Sequence, residues 1–284
     1  MLAPSTLQLL RFHFSFFLLP VYLFALSQLP VIDVKNAILV FIILHILIYP
    51  ASNGYNSYMD RDESPIGGIK NPKQPTKQLY YVTIFMDLLA VLLGLLISPW
   101  FSLGTLLYIM ASRLYSYRRI RLKQYPVLGY LTVFVFQGAL IFFISYHGCH
   151  PNLTLNVPFL PCIISSMLIG ALYPLSQIYQ HEEDRKDGVI TISYLVGKRG
   201  TFFLSMSLFL AATFLFYLLY NDKQLTSFYY YLLIMLPVVL FFLYWMSRVW
   251  RNESEANYGN SLRMNILATF STTVFFLTRI LLNH

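Results

Sequence analysis

Apolar runs of about 20 residues, the length that carries an α-helix across a bilayer, recur through this chain from one end to the other. That repeat leaves little choice of fold. A segment surrounded by lipid must satisfy its own backbone N–H and C=O groups, and a helix does so without a neighbour. Hydropathy read together with Pro, Gly and charged breakers gives nine spans, near residues 10–29, 36–55, 78–97, 99–114, 125–146, 157–180, 201–220, 227–247 and 262–282. Only 11% of the residues are charged, and no polar stretch between spans is long enough for a soluble unit. Residues 1–284 therefore read as a single all-α polytopic membrane domain.

The cations fix an orientation. Of the 20 Lys and Arg residues, all except Lys35, Lys223 and Arg279 fall near the N-terminus (Arg11) or in the second, fourth, sixth and eighth connections. By the positive-inside rule those sides are cytoplasmic, which places the N-terminus inside and, after nine spans, the C-terminus outside. A net charge of +8 would point a soluble protein toward nucleic acid. Here the excess is juxtamembrane, so anionic lipid headgroups and an anionic substrate are the expected partners, with no nucleic acid and no obligatory protein partner. Cys149 and Cys162 lack metal-ligand spacing and predict no disulfide. The apolar stretch after Arg11 is too long for a signal-peptide core and reads as a retained first span.

Polar residues gather on the cytoplasmic side, so the site is expected there. Two connections look alike: MDRDESPIGG (59–68) after the second span and EDRKDGVITIS (183–193) after the sixth. Each sets an Asp-Arg pair, further acids and a glycine turn where an apolar helix ends. They stand four spans apart, which predicts two weakly similar four-helix units followed by a ninth helix, with a shared site at their interface. On a continuous helix Asn53, Asn56, Asp60 and Glu63 or Ser64 share a face, as do Gln177, Gln180 and Asp184. One such loop reads equally well as a solvated helix end. Two of them, with ionisable groups that cost about 3 kcal/mol each inside a span, point to a site.

Carboxylates and amides in this number are hard oxygen donors suited to Mg2+, which bridges to substrate phosphates. The fourth connection, SRLYSYRRIRLKQYPVLGYL (112–131), adds Arg113, Arg118, Arg119, Arg121 and Lys123. Part of that charge serves orientation alone. The rest suits a diphosphate, Arg by its fork and Lys as a point charge.

Together these motifs resemble the UbiA superfamily of intramembrane prenyltransferases, over most of the chain. NSYMDRDES lies on the family's N-D-x-x-D-x-x-x-D motif, with Asn56 and Asp60 in the first two ligand positions. QHEEDRKDGVITISYLVGKRG (180–200) lies on its second motif and supplies Asp184, Arg185, Gly188, Thr191 and Gly197. YSYRRIRLK is similar to its Y-S-x-P-P-x-(K/R)-L-K loop, which brings Tyr115, Ser116, Arg121 and Lys123 into register, although Tyr115 by position alone reads as an interfacial belt residue.

The resemblance implies nine helices around a central cavity open sideways to lipid. It also implies transfer of a prenyl group from an allylic diphosphate to a lipophilic, aromatic acceptor, with Mg2+ as cofactor. Asp60 and Asp184 would be the catalytic acids, and Asn56, Asp60, Glu63, Gln180 and Asp184 would hold metal. Arg61, Arg121, Lys123 and Arg185 would hold the diphosphate, with Asn53, Asp62, Ser64, Tyr115 and Gln177 behind them. Cations placed in advance lower the barrier by meeting leaving-group charge as it develops.

Two positions depart from the family pattern. Ser64 stands where the first motif ends in Asp, and Gln180 stands where the second begins with one, which removes two carboxylates. Glu63 is the expected stand-in for the first loss, and Gln180 keeps a carbonyl oxygen without charge. One strong metal site with a weaker partner fits this set as well as two. Cyclisation of the prenyl cation by its own double bonds is a second reading, and a polyisoprenoid or lipid transporter or binding protein a third. Polar residues confined to one side weigh against transport.

Overall fold

The computed structural model describes residues 2–221 and 225–283. Lys223, one of the cations used for orientation, lies outside the described residues. The described chain is helical, with one isolated bridge between Ile66 and Ile69 in a connection. We number the long helices α1 (Pro4–Ser27), α2 (Val34–Asp60), α3 (Lys77–Leu95), α4 (Pro99–Ser116), α5 (Pro126–Cys149), α6 (Phe159–Gln177), α7 (Ile192–Tyr220), α8 (Leu225–Arg251) and α9 (Tyr258–Asn283). Successive helices pack on one another and α9 returns against α1, closing a ring.

Among the described residues, eight helices are long and apolar enough to cross a membrane, and α4 is the ninth in the ring but not one of the eight. Its polar residues are spent on its neighbours. Ser102 Oγ donates to the Val91 carbonyl of α3 (2.9 Å), and Ser112 Oγ meets Ser52 Oγ of α2 (2.6 Å). Arg113 pairs with Asp87 of α3 and lies 3.9 Å from the Tyr55 ring centroid. The sequence reading grouped Arg113 with the cytoplasmic cations; the structure takes it out of that cluster and neutralises it inside the ring. Both cysteines are buried and free, as expected.

Three of the helices, α1, α2 and α5, carry a tight or widened segment, and each such segment has a partner. At Arg11 the backbone of α1 turns left-handed (φ 50, ψ 48) and continues as a tight segment, Phe12–Leu18. The Ser15 carbonyl of that segment is met by His45 Nδ1 (3.1 Å), from a widened turn of α2, Ile42–Ile48. A second widened segment, Phe134–Leu140 of α5, gives the Ala139 N–H to Ser166 Oγ of α6 (3.0 Å). Irregular backbone at membrane depth persists only where protein or a cavity satisfies it. Phe14, Ser15, Phe136 and Gln137 from these segments all line the central cavity. In α7, Gly197 (φ 72, ψ 171) separates a first short piece from the predicted span.

On the side away from the acidic loops, Phe24 of α1 stacks on Phe276 of α9 (4.6 Å) and packs edge-on against Phe142 of α5 (5.1 Å). These rings fill the centre of the bundle there.

Candidate functional site

Helix α2 stops at Asp60 because Arg61 takes a left-handed conformation (φ 57, ψ 39), its N–H returning to the Ser57 carbonyl (3.0 Å). The chain leaves the helix axis at once. Glu63 and Ser64 are therefore not on the face of Asn53, Asn56 and Asp60, contrary to the helical reading of this stretch. Asp62 turns into the central cavity, whereas Arg61 and Glu63 are exposed and Ser64 does not reach the cavity wall. The loop then tucks under α1, where the Arg11 guanidinium donates to the carbonyls of Asn53 (3.1 Å) and Gly67 (3.4 Å).

The second acidic loop also breaks the continuous helix expected of it. α6 ends at Gln177, and Asp184 rides on a separate short helix, His181–Lys186. His181 anchors that helix, its Nε2 2.8 Å from Ser193 Oγ. Gln177, Gln180 and Asp184 face one cavity all the same. Gln180 Nε2 donates to the Pro65 carbonyl (3.3 Å), so the residue that replaces a carboxylate joins the two acidic loops.

The cavity has a volume of about 250 Å³. Asn53, Asn56, Asp60 and Asp62 form one wall, and Gln177, Gln180 and Asp184 another. Tyr115, Ser116 and Lys123 come from α4 and the loop after it, and Tyr173 from α6. Tyr115 is thus a cavity residue rather than a belt residue. Its hydroxyl meets that of Tyr173, which accepts from Gln177 Nε2 (2.8 Å). Asn56 Nδ2 donates to Ser116 Oγ (2.9 Å), so the carbonyl oxygen is the atom Asn56 can offer a cation. Arg121 lies just behind the wall, and Arg185 is exposed.

Charge is crowded here. The Asp60 side chain is 3% exposed, with Oδ2 2.5 Å from Lys123 Nζ and Oδ1 3.3 Å from Arg121 Nη2. Burial, reinforced by the charge of Asp60, pushes the Asp62 carboxyl up to about 6 against the pull of Lys123 and Arg11. Burial likewise pushes Asp184 up to about 7, with Lys123 opposing and Asp60 and Asp62 adding. Buried carboxyls that also feel one another's charge would gain from a cation between them.

Three carboxylates with the amide oxygens of Asn56 and Gln180 form a hard oxygen set, which fits Mg2+. The fit is one of donor chemistry and charge. Among the described residues, no three His, Cys, Asp or Glu side chains are gathered closely enough to hold an ion as they stand.

A second cavity of about 410 Å³ adjoins the first. Phe17, Ile169 and Leu172 line both, and beyond them the wall is apolar, with Val21, Phe24, Met235 and Phe242. Hydropathy does not distinguish a chamber wall from any other buried helix face. Four polar residues also escaped the sequence reading: Arg11 as a cavity cation, Tyr173, Asp87 and Asp187. Tyr173 stands one helical turn before Gln177, and that spacing was the available signal.

The UbiA prenyltransferase family model matches residues 15–267. No curated protein sequence matches the chain. A UbiA homolog from Archaeoglobus fulgidus bound to DMAPP and Mg2+ superposes with a TM-score of 0.69 at 17% identity, over 97% of this chain and 99% of its own. The apo UbiA homolog from Aeropyrum pernix gives 0.68 at 17% identity, over 95% and 97%. Digeranylgeranylglyceryl phosphate synthase gives 0.62 at 18% identity, over 98% and 96%. At these identities the likeness is one of fold. The family match extends over most of the chain, and with eight apolar helices in the ring it identifies this protein as an integral, multi-pass member of the UbiA prenyltransferase family.

Proposed function

We propose that the protein transfers a prenyl group from an allylic isoprenyl diphosphate to a lipophilic acceptor within the membrane, using Mg2+. The observation that carries this reading is the junction of two unlike cavities. One is lined by Asp60, Asp62, Asp184 and Lys123, the other is apolar, and Phe17, Ile169 and Leu172 belong to both. A diphosphate with a long hydrocarbon tail matches that pair. At interior packing density a five-carbon unit occupies roughly 110 Å³, so the apolar chamber of about 410 Å³ suits a tail of about three to four units.

In this reading Asp60, Asp62 and Asp184, with the oxygens of Asn56 and Gln180, hold the metal. Bound there, Mg2+ would neutralise the diphosphate as a leaving group. Lys123 and Arg121 face the same charge from the other side, and Asp60 holds both in place in advance. The bond from the allylic carbon to the diphosphate oxygen breaks, its electron pair leaving with the diphosphate. The acceptor forms the new bond to that carbon and gives up a proton. The aromatic rings of Phe17 and Phe136 line the cavity and offer π-faces to the electron-poor carbon. The positive charge of the loops beside the site supports a cytoplasmic location for it.

A panel of prenyl diphosphates, incubated with purified protein, Mg2+ and membrane lipid extract, tests the proposal by mass spectrometry of the products. Asp60→Ala and Asp184→Ala should each lower transfer by about a hundredfold or more with the fold intact. Full activity in both would sink it. Hydrocarbon or terpene alcohol formed without any acceptor would move the assignment to cyclisation.

A further inference from the structure

The cations of the basic loop are already engaged by an anion of the chain itself. Arg121, only 6% exposed, reaches Asp187 twice, through Nη2 to the carboxylate and through Nη1 to the backbone carbonyl (3.0 Å). Arg118 approaches the other carboxylate oxygen (3.5 Å) while donating to the carbonyls of Met59 (2.6 Å) and Asp60 (3.2 Å). Asp187 thus lies between two guanidinium groups as a phosphate would, with both oxygens engaged. Against the cost of partial burial, the hydrogen bonds and charge of Arg121 hold its carboxyl below the usual range.

Asp187 differs from the acids of the cavity. Its side chain is 37% exposed where that of Asp60 is 3% exposed, and it does not line the cavity. Gly188 follows it at φ 69, and nothing lies within 4 Å of the place a Cβ would take there. The Asp187 side chain, being 37% exposed, can turn away from Arg121 into solvent by rotation about its own bonds, while the backbone of the turn stays held by the Val189 N–H on the Asp184 carbonyl (2.7 Å). Arg121 would keep its contact with Asp60.

We propose that Asp187 is an internal competitor of the diphosphate. It occupies Arg121 and Arg118 until the substrate's leaving group displaces it, and so sets the affinity of the site. The inference rests on the proposed function only in taking a diphosphate as the ligand. A ligand that must first displace a resident anion binds with an affinity reduced by the fraction of sites already freed. The consequence is a reversal of sign among the acids. Loss of Asp60 or Asp184 removes a metal-holding oxygen donor, whereas loss of Asp187 leaves two guanidinium groups open to the ligand.

Equilibrium binding of inorganic pyrophosphate to the purified full chain, with and without Mg2+, tests this directly. Asp187→Asn is expected to tighten binding roughly three- to tenfold, since a partly exposed ion pair is a modest competitor. Asp187→Glu keeps the charge and should stay near wild type. Glu183, on the same short helix, pairs with Lys186 (3.6 Å) and not with the basic loop, so Glu183→Gln removes one charge without freeing Arg121. It too should stay near wild type. Unchanged or weaker binding in Asp187→Asn, or an equal gain in Glu183→Gln, would overturn the inference while the proposed function stood. Failure of both wild type and Asp187→Asn to bind pyrophosphate would remove both together.

Discussion

Asp62 and Glu63 are adjacent acids with opposite fates, and the difference comes from one backbone angle. With Arg61 in the left-handed region, Asp62 enters the cavity and Glu63 leaves it. The sequence alone favoured Glu63, because a continuing helix would have carried it toward the face of Asp60. We therefore expect Asp62→Asn to lower Mg2+-dependent transfer by about tenfold or more, and Glu63→Gln to leave it within about twofold, in side-by-side turnover measurements. Asn56, Asp60, Gln180 and Asp184 were legible because each sits in a motif. Tyr173 offered only its spacing from Gln177, and Asp187 offered nothing, since its partners Arg118 and Arg121 lie on another loop.

The raised acids also predict a pH dependence of the metal-free protein. An unfolded Asp releases its proton near pH 3.9 or so, whereas Asp62 and Asp184 hold theirs in the folded chain up to about 6 and 7. Between those limits the folded state binds more protons, so these two groups make stability fall as pH rises. Thermal unfolding in the presence of chelator should move to higher temperature as the pH is lowered from about 8 to about 5. The double variant Asp62→Asn, Asp184→Asn should lose most of that slope.

Among elements, the expected spans match the helices closely except where a helix end is set by contacts rather than composition. α6 ends at Gln177 and the short helix restarts at His181, and α7 begins before its membrane portion because Gly197 joins the two pieces. The widened segment of α5 carries no signal in hydropathy. Its cause is the approach of Gly138 to Ser166, where a Cβ would stand 2.3 Å from the Ser166 Cα. Backbone on both sides leaves no room to adjust. Gly138→Ala should therefore destabilise the protein by about 2–3 kcal/mol, read from chemical or thermal unfolding in detergent, and Ser166→Ala by about 1 kcal/mol through the lost partner of the Ala139 N–H.

At the scale of the molecule, the membrane class was legible, and the count of nine spans lies close to the eight apolar helices among the described residues, because lipid imposes a length on every helix. The apolar chamber was not, because it exists only once α1, α6, α7, α8 and α9 are assembled. Phe24 and Phe276 stack at its end, and both are almost fully buried. In a lipid environment a tail gains little by leaving one apolar medium for another, so selection by length must be steric. Phe24→Ala should shift the best substrate in a panel of prenyl diphosphates by about one five-carbon unit toward longer tails; an unchanged profile would mean that another surface measures the tail.

The pairing of Arg113 with Asp87 reaches beyond the finished structure to its manufacture. α4 is the helix that apolarity alone does not qualify as a span, and Arg113 in its last turn, left unpaired, would add to the cost of inserting it. Its counter-charge, Asp87, lies on α3, the helix that a short connection joins to α4. The two segments are thus built to enter the bilayer as a hairpin, each supplying what the other lacks. In a glycosylation-reporter insertion assay α4 alone should integrate poorly and the α3–α4 pair well, and Asp87→Leu should weaken the pair. Damage at Asp87 would then appear as failed membrane integration, long before any substrate is met.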